Sequence, residues 1–217
     1  MSAWLELGIA CTAFVAAHAI PARPPVRRRL TALLGDRGYL WLYSGISLLL
    51  LWWLIAAAGR APYVALWGQA PWQRWLALVA MATACLLVAL ALGKPNPFCF
   101  GGDPARYDPE RPGIVGLTRH PLLWAVALWA GAHLLANGDL AHAVLFGGVL
   151  VMALGGIAML DRRSRHRLGA DWPRRGHHPA TGWRPADAWR LLGGLLLFLG
   201  LLLAHPLAIG VDPLAGF

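Results

Sequence analysis

Charged residues and cysteines are both scarce in this chain. Charged residues make up 13% of the 217, about half the usual share, and only ten acidic residues stand against 19 basic ones. Three cysteines, Cys11, Cys85 and Cys99, form neither a CxxC pair nor a CxxCH haem-attachment motif. The first shortage, beside 58% hydrophobic residues, excludes a soluble globular protein. The second means that any haem must be held non-covalently.

Six apolar runs fill most of the chain. Each is close to the about 20 residues that a helix needs to cross a bilayer. The first run lacks the basic start of a signal peptide, because Glu6 is the only charge ahead of Arg23, and we expect it to be retained. The runs are Ala3–Ile20, Gly38–Ala58, Trp75–Gly93, Pro121–Ala136, Leu140–Leu160 and Ala188–Ala208.

The basic residues are distributed unevenly between the loops. When successive loops are assigned to alternate faces, 17 of the 19 basic residues fall on one face, and Arg60 and Arg74 fall on the other. The positive-inside rule makes the crowded face cytoplasmic and both termini periplasmic. The basic surplus is then a topology signal that also attracts anionic lipid, and it does not indicate a nucleic-acid partner.

Three connections carry local structural signals. Arg27–Gly35 is typical of a short basic amphipathic turn at the membrane interface, and the proline-rich stretch 94–116 predicts an ordered loop or re-entrant lid. Asn137-Gly138-Asp139 predicts a tight turn, so the runs on either side should form an antiparallel hairpin. Asp161–Asp187 mixes arginines with tryptophans and histidines.

Histidine inside an apolar run is the main chemical signal. An ionisable ring within a span is costly unless it faces a cavity, a partner or a cofactor. His133 shares a helix face with Trp129 and Asn137, and it is either a metal ligand or a hydrogen-bonding contact between helices. His18 is either a second ligand or an interfacial histidine.

The Arg119-His120-Pro121 sequence opens the fourth run. It is either a plain helix start or a place for an anionic group such as a carboxylate, a lipid phosphate or a haem propionate. Of the other candidates, His205 is a further possible ligand, and we expect Asp161-Arg162-Arg163 to form local surface ion pairs. A site at His142, or at His166, His177 and His178 among the arginines, is not favoured.

The segment TRHPLLWAVALWAGAHLLANGDL, followed by LFGG and LDRR, resembles the NnrU family of bacterial inner-membrane proteins. The likeness extends to FVAAH at 14–18, LGDRGYLWLYSGISL at 34–48 and AHPLAIG at 204–210. The resemblance implies a role in denitrification, in support of nitrite and nitric oxide reduction. The segment is also similar to the 15-cis-zeta-carotene isomerase family, whose members are haem b membrane enzymes.

Carried over by motif, the two haem-ligating histidines of the isomerase match His18 and His133. The isomerase also has a cysteine three residues before the second histidine, where this chain has Ala130, and this weakens the isomerase interpretation. Depth in the membrane, counted at about 1.5 Å per residue, favours His18 with His120 instead, and His205 also stays open. The RHP sequence further resembles membrane methyltransferases that use S-adenosylmethionine, but the paired glutamates of those enzymes are missing here.

The sequence thus predicts one all-α, polytopic domain over residues 1–217, with about six transmembrane helices and both termini periplasmic, in the bacterial inner membrane. We expect haem b, with His18 and His133 as axial ligands and Arg119, His120, Trp129 and Asn137 around the cofactor. Besides lipid, partners would be nitrogen-oxide reductase components or a lipophilic substrate. Haem-dependent isomerisation, methyl transfer and a purely structural assembly role stay open as alternatives.

Overall fold

The computed structural model describes residues 2–99, 106–169 and 185–215, and in these parts the chain is all-α. The stretch with Trp172, His177, His178 and Trp183 lies outside the described residues. Seven helices run through the described parts: α1 Ala3–Ala19, α2 Pro24–Arg60, α3 Pro71–Ala91, α4 Ile114–Leu117, α5 Pro121–Asn137, α6 Leu140–Leu168 and α7 Pro185–Ile209.

The helix lengths and hydropathy identify a multi-pass membrane protein. Helices α2, α3, α6 and α7 have 37, 21, 29 and 25 residues and are apolar enough to cross a bilayer. Helices α1 and α5 are apolar but have only 17 residues each, about 26 Å at 1.5 Å per residue, which is at the lower limit for a span. Each predicted apolar run lies within one helix or extends at most two residues beyond it.

The described chain divides into two compact units. The first comprises Met1–Gly68 with Gly138–Leu145, and the second comprises Gln69–Asn137 with Phe146–Phe217. Helix α6 therefore begins in the first unit and continues in the second. The single domain expected over residues 1–217 stays a prediction.

In the first unit, α1 packs against α2. The buried side chains are small or aliphatic apart from one phenylalanine, and they comprise Leu7, Ala10, Phe14, Leu54, Ala57 and Ala58. The Glu6 carboxylate accepts hydrogen bonds from Trp53 Nε1 at 3.2 Å and from the Arg60 guanidinium. The one acidic residue of α1 is therefore neutralised by the far end of α2, which stabilises the pair of helices.

Helix α2 is interrupted at Gly35. This residue has φ +70°, ψ 167°, a conformation that glycine adopts readily because it lacks a Cβ. The interruption separates the basic segment that begins at Pro24 from the apolar remainder of the helix. The short turn predicted over Arg27–Gly35 is instead part of a helix that begins at Pro24, and its place at the membrane interface stays a prediction.

The Asn137-Gly138-Asp139 turn is held by the loop between α2 and α3. The Gly138 carbonyl accepts hydrogen bonds from the backbone N–H groups of Leu66, at 2.8 Å, and Trp67, at 3.1 Å. Gly138 has φ +72°, and a Cβ built on it would lie 2.5 Å from the Trp67 carbonyl oxygen. Only glycine fits this close backbone approach, and the predicted tight turn is confirmed.

We expect Gly138→Ala to lower the free energy of unfolding by about 2 kcal/mol or more. A left-handed residue with a Cβ costs about 1–2 kcal/mol, and the contact with the Trp67 carbonyl adds to this cost. Thermal unfolding of the purified protein in detergent measures the effect. The matched control is Gly155→Ala in α6, because a Cβ there meets nothing within 4 Å; equal melting temperatures for the two variants would contradict the prediction.

In the second unit, α3 packs against α5 and α7, and α5 contacts α6. Trp129 of α5 lies next to Phe146 of α6, whereas His120, at the start of α5, contacts Asp161 near the end of α6. The earlier residue, His120, contacts the later part of α6, and the later residue, Trp129, contacts its earlier part. The two helices are therefore antiparallel. The predicted hairpin is confirmed.

The described ends of the proline-rich connection pack into a small core. Phe98, Tyr107, Ile114 and Val115 are buried together with Leu90 of α3. Phe98 is 1% exposed and meets the Tyr107 ring edge-on at 6.1 Å between centroids. These flanks form an ordered loop, as the sequence predicts; residues 100–105 lie outside the described part.

Candidate functional site

His18, near the end of α1, is held by its own helix and by α2. Its Nδ1 donates a hydrogen bond of 2.8 Å to the Phe14 carbonyl. The ring lies 4.3 Å from the Phe14 ring and meets Tyr43 edge-on at 5.7 Å, both measured between centroids. Because a carbonyl oxygen only accepts, the proton is on Nδ1, and the lone pair that can bind a metal is on Nε2.

His133, in α5, has the same local arrangement. Its Nδ1 donates a hydrogen bond of 2.8 Å to the Trp129 carbonyl, four residues earlier. The ring lies 5.5 Å from Trp129, 5.0 Å from Phe146 and 6.4 Å from His205, centroid to centroid. The predicted neighbour Trp129 is therefore in contact with His133, and Phe146 and His205 complete an aromatic cluster.

The other predicted neighbour, Asn137, acts on the backbone. Its side-chain amide donates to the His133 carbonyl at 2.7 Å, while its own carbonyl accepts from Gln69 Nε2 at 3.0 Å. Asn137 thus stabilises the last turn of α5. His18 and His133 belong to different units, and each has been described with its own neighbours. Their assignment as a ligand pair stays a prediction.

Arg119 and His120 converge on one carboxylate. Arg119 donates to both oxygens of Asp161, from Nε at 3.1 Å and from a terminal nitrogen at 2.7 Å. His120 Nε2 lies 2.7 Å from Asp161 Oδ1, and the His120 side chain is 3% exposed. The Arg119 guanidinium and the His120 ring thus both bind Asp161, and these contacts link the start of α5 to α6 near its end.

This arrangement corrects the expectation for Asp161. The sequence predicts local ion pairs with Arg162 and Arg163, whereas Asp161 pairs with Arg119 and His120, 42 and 41 residues away. The missed signal is the hairpin itself, since a turn at 137–139 brings the start of α5 towards the end of α6. Asp161 directly follows one apolar run of the hairpin, and Arg119-His120 directly precedes the other. Their contact could therefore have been predicted from the sequence.

The loop after α3 is fixed to the same site. Asn96 donates from its side-chain amide to the Arg119 carbonyl at 2.9 Å and accepts from the Phe98 backbone N–H at 2.9 Å. The Cys99 thiol donates to the Asn96 carbonyl at 3.0 Å. Lys94 Nζ forms an ion pair with the buried Asp187 at 2.8 Å. The loop therefore has a defined position beside His120.

A cavity of about 200 Å³ lies between this loop and the start of α5. Polar residues in its lining are Lys94, Asn96, Cys99 and His120, and apolar ones include Leu92, Leu122, Leu123 and Leu160. Among the described residues, no three His, Cys, Asp or Glu side chains are arranged to hold a metal ion. Within the described residues, a metal would therefore have to be bound by isolated histidines rather than by a cluster of side chains.

Sequence comparison completes the description of the chain. A family model described as NnrU protein matches residues 6–213. The chain belongs to the NnrU family. The NnrU match includes His18, Arg119, His120 and His133, together with the turn at Gly138. No curated protein and no solved structure matches the chain significantly.

Proposed function

We propose that this NnrU protein is a six-span protein of the bacterial inner membrane that binds haem b non-covalently and supports nitrite and nitric oxide reduction. His18 and His133 are the proposed axial ligands. The carrying observation is that each imidazole donates its Nδ1 proton to the carbonyl four residues earlier, at 2.8 Å in both helices.

This hydrogen bond is the arrangement that metal-binding histidines use. A ligating imidazole nearly always donates its other ring N–H to a carbonyl or carboxylate, which fixes the tautomer and the ring orientation and makes the ligating nitrogen more basic. In both residues the Nε2 lone pair is thus the one suited to iron. Bound haem b supplies one-electron or ligand-sensing chemistry. The aromatic cluster of Trp129 and Phe146 orients the His133 ring.

Arg119 and His120 remain proposed contacts for a haem propionate or another anionic group. Asp161 competes for this role, because its carboxylate already accepts from both side chains. A propionate would have to displace Asp161 or add a third partner to the guanidinium, which has five N–H donors. The proposal for the ligand histidines does not depend on this contact.

We propose that α1 and α5 also cross the membrane, which gives six spans and periplasmic termini. Their apolar character and their packing against α2 and α3 support this topology. Alkaline phosphatase, which is active only in the periplasm, should therefore be active when fused at either terminus or in the loop at Ala65, and inactive when fused after Arg167. Activity after Arg167 together with inactivity at the C-terminus would reverse the orientation.

The absorption spectrum of the detergent-purified protein tests the haem directly. We expect a Soret band and, after reduction with dithionite, sharp α and β bands typical of a six-coordinate haem. A colourless protein, even after expression with added haem precursor, would contradict the proposal. In that case, change of a carotene's double-bond geometry, binding of S-adenosylmethionine, or co-purification with a reductase would identify the alternative.

A further inference from the structure

Arg190, in the second turn of α7, binds the end of α3. One terminal nitrogen of its guanidinium donates to the backbone carbonyls of Ala89, at 2.9 Å, and Leu92, at 2.6 Å. The last carbonyls of a helix have no partner within that helix, and a cation near them is also favoured by the helix dipole. Arg190 therefore caps α3 from a neighbouring helix.

Close packing of α7 on α3 brings Arg190 to this position. Gly194 lies four residues after Arg190, and a Cβ built on Gly194 would be 3.0 Å from the Leu86 Cα. Because no side chain separates the two backbones there, the guanidinium can reach the end of α3. An arginine at a membrane boundary ordinarily extends its head towards water, whereas that of Arg190 is fixed between two helices.

The rest of the Arg190 guanidinium makes no hydrogen bond and no ion pair within the described residues. Nε and the second terminal nitrogen form this free edge, and Arg190 is partly exposed. Arg119 uses the same two atoms to bind both oxygens of Asp161, at 3.1 and 2.7 Å. The free edge of Arg190 is therefore suited to an anion that offers two oxygens, such as a carboxylate or a phosphate.

The positive charge of Arg190 is not neutralised by any carboxylate in the described part of the chain. Asp187, three residues earlier, is buried and forms its ion pair with Lys94 at 2.8 Å. The carbonyls of α3 accept hydrogen bonds but carry no net charge. A cation beside an apolar span is costly without a counterion, so an anionic ligand would be favoured here.

The surface around Arg190 is apolar and exposed. Arg190 is the last Asp, Glu, Lys or Arg of α7, and on the same helix face it is followed by the exposed Leu197 and Leu201. Leu92, whose carbonyl Arg190 binds, is also exposed. Trp189 is 76% exposed, and tryptophan is enriched at the level of the lipid head groups. Arg190 thus lies where head groups meet acyl chains.

We propose that the free edge of Arg190 binds the phosphate of an anionic phospholipid. Nε and the second terminal nitrogen donate to two phosphate oxygens, while the first terminal nitrogen stays on the carbonyls of α3. The acyl chains lie along Leu92, Leu197 and Leu201. Neither haem nor a ligand histidine takes part, and the orientation proposed above decides only that the lipid belongs to the cytoplasmic leaflet.

Native mass spectrometry of the protein, purified in detergent and freed of lipid, tests the proposal. The probes are phosphatidylglycerol, phosphatidylcholine with the same chains, whose net charge is zero, and inorganic phosphate. We expect the first phosphatidylglycerol to bind at least tenfold more tightly than phosphatidylcholine, which corresponds to about 1.4 kcal/mol. Excess inorganic phosphate should not displace it, because a free anion has no chains to pack on the leucines.

Two variants with the same change in net charge locate the site. Arg190→Gln keeps a donor for the α3 carbonyls and removes the charge, so the tenfold preference should disappear. Arg162→Gln is the matched control, because Arg162 is an exposed arginine near the end of α6; the preference should persist. Arg190→Lys keeps the charge without the two-pronged edge and should lower the preference at least threefold, which keeps the test decisive if Arg190→Gln does not fold.

Three results would overturn the proposal. The first is equal binding of the two lipids to the wild-type protein. The second is a preference that persists in Arg190→Gln or falls equally in Arg162→Gln, which would mean that general surface charge attracts the lipid. The third is displacement by inorganic phosphate, which would make the ligand a free anion. Bound lipid is counted by mass in detergent, so none of these results bears on haem or on the orientation of the helices.

Discussion

Replacing His133 by alanine is expected to abolish the six-coordinate haem spectrum. The variant removes a proposed iron ligand and leaves the Trp129 carbonyl without its ring donor, so the proposed bond to iron and its orienting hydrogen bond would both be lost. Haem occupancy should fall at least about tenfold, a loss already seen when only orienting partners of a metal ligand are removed. The reduced α and β bands of the purified protein measure the effect, and His18→Ala should have the same result.

The control for this experiment is His142→Ala. His142 is also a helix histidine, but its Nδ1 is bound to the Asp139 carboxylate at 2.7 Å, and it is not among the proposed ligands. Its spectrum should match that of the wild-type protein. Added imidazole should partly restore the bands in His133→Ala, which a merely misfolded variant would not permit. Bands that survive in His18→Ala and disappear in His120→Ala or His205→Ala would keep the haem and reassign the ligand.

Asp161→Ala is expected to have the largest effect on stability. The substitution leaves the Arg119 guanidinium and the His120 Nε2 without their shared acceptor. Removing one partner of a buried ion pair costs about 3–5 kcal/mol; because the Arg119 and Asp161 side chains are only partly buried, we expect about 2–3 kcal/mol. Unfolding of the purified protein in mixed detergent micelles measures the free energy.

The matched control is Asp36→Ala, which removes an exposed carboxylate from α2. It should change the free energy of unfolding by less than about 0.5 kcal/mol. The double variant Arg119→Gln/Asp161→Asn removes both charges and should be more stable than Asp161→Ala, since no uncompensated cation remains. Equal stabilities of Asp161→Ala and Asp36→Ala would mean that the pair contributes nothing to the fold.

The helices could be predicted because their signals are local. A run of about 20 apolar residues predicts a span wherever it occurs, and an Asn-Gly-Asp sequence predicts a turn whatever surrounds it. The predictions of a helix over the run Leu140–Leu160 and of a turn at Gly138 were therefore correct. The reason that Gly138 must be glycine was not visible, because it depends on the carbonyl of Trp67, 71 positions earlier.

The candidate site was less predictable because its partners are distant in sequence. From the sequence, Arg119 and His120 were predicted to bind the carboxylate of a ligand. In the structure, both side chains bind the carboxylate of Asp161 instead. The positions of α3 and of the loop that completes the cavity follow from tertiary packing alone. The contact of His133 with Trp129 could be predicted because both residues lie on one face of the same helix. Its contacts with Phe146 and His205 could not, because those residues come from other helices.

The Glu6–Arg60 contact has a consequence for how the chain enters the membrane. Glu6 lies in the first turn of α1, and its cation is 54 residues later, at the end of α2. While α1 is being synthesised, its carboxylate has no opposite charge, and insertion of α1 alone would be disfavoured. We therefore expect the translocation machinery to release α1 and α2 into lipid together, as a helical hairpin, once Arg60 has left the ribosome.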